Sequence, residues 1–271
     1  MNAWVGTHPA GLAFDAVAAD YDARFTSSVT GRAQRKVIWH ELAATFSPGQ
    51  HVLELNCGTG EDLLFMAGLG ISVTALDASE RMIQRARTRW LREACGADVR
   101  LECLATECLD SLESSGRFDG VFSNFSGLNC VSDLGAVARQ LGRRLPADAQ
   151  LLLCFSTRIC LWEVAWYCLR GNFQKAFRRW SGTTLACVGG IVFQVNYPTV
   201  SQLRKLFAPY FQLCSVTGVG ITVPPSYVEP WARQHPKIVR LLARFDSLAC
   251  RLPILRVFGD HMLLHFRRVP A

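Results

Sequence analysis

Residues 52–62 read Val-Leu-Glu-Leu-Asn-Cys-Gly-Thr-Gly-Glu-Asp, and the fold follows from this stretch. It begins within the apolar run 51–55, which is typical of a buried strand, and a helical pattern occupies 61–69. Gly58 and Gly60 lie between the two. Glycine permits a positive φ and leaves room for a ligand against the backbone, and a helix that begins there offers free amide hydrogens. The stretch therefore predicts a ligand-binding turn between a strand and a helix.

Strand and helix patterns alternate from this turn onwards. The predicted strands are 51–55, 71–76, 99–104, 118–123, 149–155, 210–219 and 260–268. The predicted helices are 11–28, 31–46, 61–69, 79–93, one around 134–141, a short one after Thr199, and 228–251. Buried strands that alternate with helices are typical of a parallel sheet covered on both faces. We therefore predict an α/β fold with a doubly wound sheet.

Asp77 closes the second predicted strand, 17 positions after Gly60. A carboxylate at about this spacing accepts hydrogen bonds from the ribose hydroxyls of a bound nucleoside. A dinucleotide-binding turn would continue with a third glycine, but Leu63 stands in its place. The turn and Asp77 together favour a nucleoside, rather than a pyrophosphate, as the group that is bound.

At these residues the chain resembles the class I S-adenosylmethionine-dependent methyltransferases, and among them the ubiquinone and menaquinone biosynthesis methyltransferases. The usual first motif is close to V-L-E/D-x-G-C-G-T-G, and residues 52–60 match it except that Asn56 replaces one glycine. Asparagine tolerates the left-handed region better than most residues, so the change is mild. The resemblance implies a Rossmann-like sheet of seven strands, mostly parallel with the last strand antiparallel. It also implies S-adenosyl-L-methionine as cofactor and S-adenosyl-L-homocysteine as product.

Four further segments resemble family motifs. They are A-D-Y-D-A-R-F at 19–25 (lid helix), V-T-A-L-D-A-S-E-R-M-I at 73–83 (ribose and adenine), E-C-L-A-T-E-C-L at 102–109 (adenine edge) and F-D-G-V-F-S-N-F-S-G-L-N at 118–129 (beside the cofactor). The third departs from the usual G-D-A, and its alignment is open by one position. The cofactor-binding residues that the resemblance implies are Tyr21, Arg35, Glu54, Asn56, Gly58, Gly60, Asp77, Ala78, Met82, Ala105, Thr106, Ser123, Asn124 and Phe125.

The resemblance also divides the chain. We expect a single methyltransferase domain over 1–271, in which 1–50 form N-terminal lid helices and 51–156 the cofactor-binding core. Residues 157–197 form an inserted substrate cap, and 198–271 complete the core. The insert is expected to pack on the core, because a segment of about 40 residues rarely builds a core of its own.

Large apolar side chains recur through the insert at helical spacing. They are Trp162, Trp166, Leu169, Phe173, Phe177 and Trp180. The spacing predicts one helical face packed as a cap, with Arg and Lys side chains interleaved. Two other interpretations stay open: the end of this face roofs a substrate cavity, or the helix lies on a membrane surface. The candidate substrate-contacting residues are Trp162, Trp166 and Tyr197.

The formal net charge of +7 is unevenly distributed. Residues 1–150 carry 14 Lys and Arg against 18 Asp and Glu, whereas residues 151–271 carry 15 against 4. A basic half is either a solvated face or a surface for an anionic partner, such as RNA, a carrier protein or a membrane. The base-methylating signature N-P-P-Y is absent, since 123–126 read S-N-F-S, and this counts against DNA as a substrate.

The 11 cysteines form no C-x-x-C pair, and no cysteine pair carries a histidine at zinc-ligand spacing. We therefore predict no metal site and expect the cysteines to be reduced, as in the cytoplasm. The chain also shows no signal peptide and no apolar run long enough to span a membrane. These features lead us to expect a cytoplasmic protein.

Methyl transfer to a small apolar or aromatic metabolite beneath the cap is the function that the sequence favours. One alternative is a carrier-bound or polyanionic substrate such as RNA, an acyl carrier or lipid, and another is a cofactor-binding protein without catalysis. The sequence identifies no general base, so the catalytic residues stay unassigned. The acceptor atom is not determined either.

Overall fold

The computed structural model describes residues 8–93, 96–113 and 117–270. Its strands are β1 (His51–Leu55), β2 (Ser72–Asp77), β3 (Val99–Cys103), β4 (Gly120–Ser123), β5 (Gln150–Ser156), β6 (Thr183–Val188), β7 (Ile191–Asn196), β8 (Phe211–Val219) and β9 (His261–Arg268). Its helices are α1 (Pro9–Tyr21), α2 (Val29–Thr45), α3 (Glu61–Gly68), α4 (Glu80–Glu93), α5 (Leu134–Arg144), α6 (Leu161–Cys168), α7 (Phe173–Ala176), α8 (Val200–Phe207), α9 (Glu229–Gln234) and α10 (Pro236–Ala249).

Seven of the strands form one sheet, in the order β3-β2-β1-β4-β5-β9-β8. Strands β1 to β5 pair in parallel, and β9 is antiparallel to both of its neighbours. The predicted doubly wound, mostly parallel sheet with an antiparallel last strand is thus confirmed. Because β9 runs against β5, with Ser156 opposite His261, the start of β9 lies at the edge where the parallel strands end.

Helices cover both faces of the sheet, as its alternating side chains require. On one face Ile38 and Leu42 of α2 pack in a cluster with Val52 of β1. On the other face Val137 of α5 packs in a cluster with Leu53. Successive residues of a strand point to opposite faces, so adjacent residues of β1 supply both cores.

The N-terminal region differs from the predicted helices 11–28 and 31–46. Helix α1 ends at Tyr21, a π-helical turn spans Asp22–Thr26, and α2 begins at Val29. Ser28 accepts a hydrogen bond from the Gly31 amide, which is the usual role of serine at a helix start. The polar cap therefore sets the boundary that periodicity alone had placed elsewhere.

The single helical face predicted for 162–180 is wrong. Two short helices, α6 and α7, occupy the segment, and Gly171, which has a φ of +68°, lies in the turn between them. Leu169 and Phe173 on either side of the break are exposed. The rest of the insert is the antiparallel hairpin β6–β7, which turns at Gly189-Gly190. A glycine that adopts a positive φ ends a helix, even where the apolar spacing continues beyond it.

The predicted helix 228–251 is likewise interrupted. Helix α9 ends at Gln234 and α10 starts at Pro236. Proline has no amide hydrogen and disfavours helical backbone in the residue before it, so His235 leaves the helix. No helix of the described ranges is both long enough and apolar enough to cross a membrane.

The four carboxylates of the basic half are all buried. They are Glu163, Glu229, Asp246 and Asp260. Glu229 and Asp246 accept backbone amide hydrogen bonds at the start of α2 and after β8, and the other two bind arginines. The exposed Lys and Arg side chains of residues 151–271 therefore have no exposed carboxylate of the same segment beside them among the residues that the structure describes.

Candidate functional site

The carboxyl ends of β1, β2 and β4 surround a cavity of about 230 Å³. Helix α1 covers it from one side, and Gly11 allows the close approach, since a Cβ there would lie 2.5 Å from the Ala78 carbonyl oxygen. Clefts at this edge are where doubly wound sheets bind ligands. We call it the cofactor cavity.

The turn after β1 forms one wall of the cofactor cavity. Asn56, Gly58 and Gly60 all have positive φ, at 57°, 54° and 80°. A Cβ on Gly60 would lie 3.0 Å from the Cβ of Ala86, so this glycine also lets α4 pack closely against the turn. Both glycines are therefore required by the backbone, as the sequence predicted for a ligand-binding turn.

Asn56 is accommodated by a second glycine far along the chain. A Cβ on Gly127 would lie 2.3 Å from the Cβ of Asn56. The Asn56 side chain also accepts a hydrogen bond from the Thr106 hydroxyl at 3.2 Å. The side chain that replaces the family's usual glycine is therefore held between two loops, and Gly127 provides the space.

We predict that Gly127→Ala destabilises the protein by about 1–3 kcal/mol, because overpacking forces the backbone to shift. In an Asn56→Gly background the same change should cost much less, since the clashing side chain is gone. Urea unfolding of the wild type, both single variants and the double variant measures the coupling. Additivity of the two changes within about 0.5 kcal/mol would contradict the proposed contact.

Asp77 lies at the floor of the cofactor cavity. Its Oδ2 accepts a hydrogen bond from the Gly58 amide and its Oδ1 one from the Ser79 amide, both at 2.8 Å. Burial raises the pKa of Asp77 to about 6, although these two amides oppose the shift. The carboxylate is thus fixed in position, and its remaining lone pairs are available to hydroxyl donors.

The raised pKa predicts a pH dependence of cofactor binding. Only the ionised carboxylate can accept a hydrogen bond on each oxygen, so affinity for S-adenosylhomocysteine should be constant above pH 7. Below about pH 6 it should fall by up to tenfold per pH unit. The same shift makes the free protein lose stability as the pH rises from about 4 to 6, because folding favours protonated Asp77. Calorimetric titration from pH 5 to 8 tests this, and a flat affinity profile would contradict it.

A buried ion pair lies beside the turn. Arg35 of α2 contacts Asp62 of α3, with Nη1 and Oδ2 2.6 Å apart. Asp62 also accepts hydrogen bonds from the Trp39 indole at 2.6 Å and the Asn124 amide at 2.9 Å. The Arg35 guanidinium lies 4.7 Å from the ring centre of Phe125. The pair thereby joins α2, α3 and the loop after β4.

Several buried polar atoms near this pair have no hydrogen-bond partner within the described residues. They are Arg35 Nε, Glu54 Oε2 and Ser123 Oγ. Burial raises the pKa of Glu54 well above its usual range, and nearby Asp62 adds to the shift. Such atoms are costly unless a ligand or water satisfies them.

The lid is fastened to the turn by polar contacts. Asp22, just after α1, accepts a hydrogen bond from the Thr59 hydroxyl at 2.5 Å and pairs with Arg89 of α4 at 2.6 Å. The tilted rings of Tyr21 and Phe25 lie 5.7 Å apart between ring centres, and Phe25 meets Phe125 edge-on at 4.7 Å. The rings close one side of the cofactor cavity.

A second cavity of about 420 Å³ lies on the other side of these rings. It shares Phe14, Tyr21, Phe125 and Ser126 with the cofactor cavity. Its far wall comes from the start of β9, the loop before α9 and the cap. We call it the side chamber.

Most of the residues predicted to bind the cofactor line the cofactor cavity. They are Tyr21, Arg35, Asn56, Gly58, Asp77, Ala78, Met82, Thr106, Asn124 and Phe125. The others, Glu54, Gly60, Ala105 and Ser123, are buried directly behind the wall. The structure therefore brings the predicted set together, and the contact of each with the cofactor stays a prediction.

The candidate substrate residues lie elsewhere, which corrects their expected placement. Trp162 donates its indole hydrogen to the Thr222 carbonyl, Trp166 lies under the Arg170 guanidinium, and Tyr197 is buried near Arg179. None of the three lines either cavity in the described part of the chain. The cap reaches the cofactor cavity with the hairpin residues Phe193 and Val195 instead.

Sequence reasoning missed three acidic residues in the cofactor cavity, Glu61, Asp62 and Glu107. Glu107 faces His8, with Oε1 and Nε2 3.3 Å apart. Burial alone would raise the pKa of Glu107, but the contacts with His8 and with backbone amides together lower it. Glu107 directly follows Ala105 and Thr106, the two residues that the sequence placed at the adenine edge.

Residues 52–148 match the family described as a methyltransferase domain. Over 144 residues the chain is 31% identical to a demethylmenaquinone methyltransferase of Leptospira interrogans, covering 51% of this chain and 57% of that protein. Over 105 residues it is 33% identical to a ubiquinone biosynthesis O-methyltransferase of Xanthomonas oryzae, covering 39% and 42%. The chain thus aligns with about half the length of these relatives.

Solved structures share the fold. One is the 1,6-didemethyltoxoflavin-N1-methyltransferase of Burkholderia thailandensis with its substrate and S-adenosylhomocysteine, which matches with a TM-score of 0.57 at 17% identity over 100% of this chain and 92% of that one. Residues 52–148 thus belong to the methyltransferase domain family, and the seven-stranded sheet is the class I S-adenosylmethionine-dependent methyltransferase fold. The resemblance expected from the sequence is confirmed.

Proposed function

We propose that this chain transfers the methyl group of S-adenosylmethionine to a small apolar or aromatic metabolite. The observation that carries the proposal is the pair of adjoining cavities on either side of Tyr21 and Phe125. The cofactor cavity has the features of a nucleoside site, and the side chamber has the volume and the side chains to hold a methyl acceptor. A methyltransferase needs such a pair, because the two reactants must meet without water between them.

The residues present fit the cofactor. Asp77 presents a fixed carboxylate for the ribose, and Met82 and Ala78 supply an apolar surface for the adenine. Near the turn, the buried Nε of Arg35 and Oε2 of Glu54 are unpartnered polar atoms in the described part of the chain. A methionine carboxylate and ammonium group are of the right charge to satisfy them. We therefore assign the amino-acid end of the cofactor to the Arg35 side of the cavity.

The cofactor supplies a sulfonium that activates its methyl group, so the protein's main task is placement. The acceptor atom must lie in line with the sulfur–methyl bond. Tyr21, Phe25 and Phe125 place aromatic rings at the boundary between the cavities. Aromatic walls also favour a flat, apolar acceptor, and the relatives named for ubiquinone and menaquinone biosynthesis support an acceptor of that kind.

Methyl transfer is tested with S-adenosylmethionine labelled in its methyl group. The purified protein is incubated with the label and an extract of small metabolites, and mass spectrometry identifies the compound that gains the label. We expect one or a few apolar ring compounds to be labelled. Labelling of RNA or protein instead, or no transfer by a protein that binds the cofactor, would contradict the proposal.

A further inference from the structure

The side chamber contains a histidine that the cofactor site does not use. His261 is the first residue of β9, is 7% exposed, and meets the Phe125 ring edge-on at 5.5 Å between ring centres. Phe125 lines both cavities, so His261 lies one ring away from the cofactor cavity. It occupies this place because the antiparallel β9 begins where β5 ends.

A carboxylate lies beside one ring nitrogen of the imidazole. His261 Nδ1 lies 3.5 Å from Asp260 Oδ2 and has no hydrogen-bond partner within the described residues. Asp260 is itself held by Arg179, at 2.9 Å from Oδ1, and by Gln34, at 3.5 Å from Oδ2. With Nδ1 turned to Asp260, the other ring nitrogen, Nε2, is available to a ligand in the chamber.

Burial favours the neutral form of the His261 imidazole. Burial lowers its pKa, Arg179 lowers it further, and Asp260 opposes both without reversing the shift. Burial alone would raise the pKa of Asp260, but His261 and Arg179 lower it, so the carboxylate is ionised. The other titratable side chains of the chamber wall are Arg24, Arg178, Tyr21 and Tyr227. A neutral imidazole oriented by a carboxylate is the arrangement of a general base.

We propose that His261 is the general base of the reaction and that the acceptor is an alcohol or a phenol. As the acceptor oxygen attacks the methyl carbon, the sulfur–methyl bond breaks and its electron pair returns to sulfur. The hydroxyl proton passes to His261 Nε2, which leaves a methyl ether, neutral S-adenosylhomocysteine and an imidazolium beside Asp260. This inference rests on the proposed methyl transfer and specifies its acceptor atom.

Tyr227 supports a polar acceptor group at the same place. Its hydroxyl oxygen is buried and has no hydrogen-bond partner in the described ranges, and its ring lines the side chamber. Burial raises the pKa of Tyr227 far above its usual value, so the hydroxyl stays protonated and able to donate. A hydroxyl group between Tyr227 and His261 would satisfy both side chains.

The protonation state of His261 is tested first, because it does not depend on turnover. Nitrogen-15 NMR of the labelled imidazoles, with His261→Gln to assign the signal, reports the tautomer from pH 5 to 9. We expect a neutral ring at pH 7.5 with its proton on Nδ1 and a free Nε2. An imidazolium that persists through pH 8, or a proton on Nε2 in the neutral ring, would overturn the proposal.

The acceptor atom is tested with carbon-13-labelled methyl groups. After turnover in the metabolite extract, the chemical shift of the transferred carbon distinguishes methyl groups bound to oxygen, nitrogen, sulfur and carbon. A methyl ether supports the proposal, and attachment to any other atom overturns it. Binding of S-adenosylhomocysteine without any transfer would refute the proposed function, and the NMR result would then stand separately.

Substitution separates a base from a structural histidine. His261→Gln should lower kcat by about 10²–10⁴ at neutral pH, the usual contribution of a general base, with partial recovery as rising pH ionises the acceptor. Affinity for S-adenosylhomocysteine should not change. His265→Gln is the matched control, because this histidine lies on the same strand but contacts Gln150, away from the chamber. Equal rates for wild type and His261→Gln would overturn the proposal.

A separate observation concerns the surface of α10. Its apolar side chains Ile238, Leu241, Phe245 and Leu248 recur at helical spacing and are 44–73% exposed. Leu252 and Ile254 extend the apolar surface beyond the helix, at 51% and 74% exposure. An unpartnered stripe of this size marks a contact surface.

Positive charge borders this stripe. Lys237, Arg240, Arg244 and Arg251 lie on or directly after α10. Arg32 and Lys36 of α2 join Arg240 and Arg244 in the adjoining groove, where Glu41 is the one carboxylate among the described lining residues and is paired with Arg251 at 3.0 Å. Apolar side chains beside unneutralised cations complement an anionic phospholipid surface.

We propose that α10 binds the surface of anionic phospholipid membranes. Sedimentation with vesicles of phosphatidylglycerol and phosphatidylcholine tests this, against vesicles of phosphatidylcholine alone. We expect binding to the anionic vesicles only, weakened at least tenfold by Leu241→Ser with Phe245→Ser but not by Leu185→Ser, a control at a still more exposed leucine of the cap. Equal binding to both vesicles, no binding, or a dimer that the double variant dissociates would overturn the proposal.

Discussion

Asp77→Asn should weaken the binding of S-adenosylhomocysteine by about 10²–10⁴-fold. The carboxylate is held by the amides of Gly58 and Ser79, so it can accept the two ribose hydroxyls without rearrangement. A hydrogen bond to a charged group contributes about 1.5–3 kcal/mol, and each 1.4 kcal/mol is a tenfold change in affinity. Asparagine keeps the shape but loses the charge and one of the two acceptor oxygens.

Asp119→Asn is the matched control. Asp119 accepts a backbone amide hydrogen bond from His51 at 2.8 Å, at the opposite end of β1. The Asp119→Asn substitution removes a comparable carboxylate that does not line the cofactor cavity. Calorimetric titration of both variants makes the comparison, and an affinity for Asp77→Asn within threefold of the wild type would refute the ribose assignment.

The second large effect is on stability. Glu163→Ala should lower the free energy of unfolding by about 3–5 kcal/mol and the Tm by roughly 6–20 °C. Glu163 is 1% exposed and binds Arg178 through both oxygens, at 2.8 and 3.0 Å, and Arg179 at 2.8 Å. Without it, the buried guanidinium of Arg179 keeps only Asp260 as a charged partner. One carboxylate then serves Arg179 and none in the described ranges serves Arg178, and removing one partner from a buried ion-pair network is strongly destabilising.

The comparison variant is Asp110→Ala. Asp110 pairs with Arg143 at 2.8 Å, but both side chains are about 60% exposed, so the pair contributes at most about 1 kcal/mol. Thermal unfolding of the two variants should separate them clearly. Similar losses would mean that the pairs between Glu163 and the arginines do not stabilise the cap.

The sheet and the cofactor turn could be predicted because their signals are local. The order in the sequence is a buried strand, a turn with Gly58 and Gly60, a helix, and a second strand that ends in Asp77. The strands and the helix of this segment form where the pattern predicted them. The contact of Asn56 with Gly127 could not be predicted in this way, because the two residues are far apart in the chain and meet only when β1 and β4 pair.

The cap was predicted poorly for a physical reason. The large side chains of 162–180 recur at helical spacing, but spacing does not show that Gly171 adopts a positive φ, which ends the helix. Phe193 and Val195, which do reach the cofactor cavity, are alternate residues of a strand that follows the Gly189-Gly190 turn. That period of two was readable in the sequence, and it would have indicated a hairpin with one face toward the core.

His261 also needed the structure. In the sequence it is a single histidine before the last strand, which is more often a packed residue than a catalytic one. The antiparallel strand β9 brings it to the carboxyl edge of the sheet, opposite Ser156, and Asp260 then orients it. The pairing direction of one strand, which no local pattern encodes, therefore decides whether this residue reaches the chamber.

Calorimetric titration of the wild-type protein with S-adenosylhomocysteine at pH 7.5 tests the central claim most directly. The account predicts one site per chain with a Kd in the micromolar range or below, competed by S-adenosylmethionine. The absence of binding at micromolar concentrations would contradict it, whatever the acceptor is.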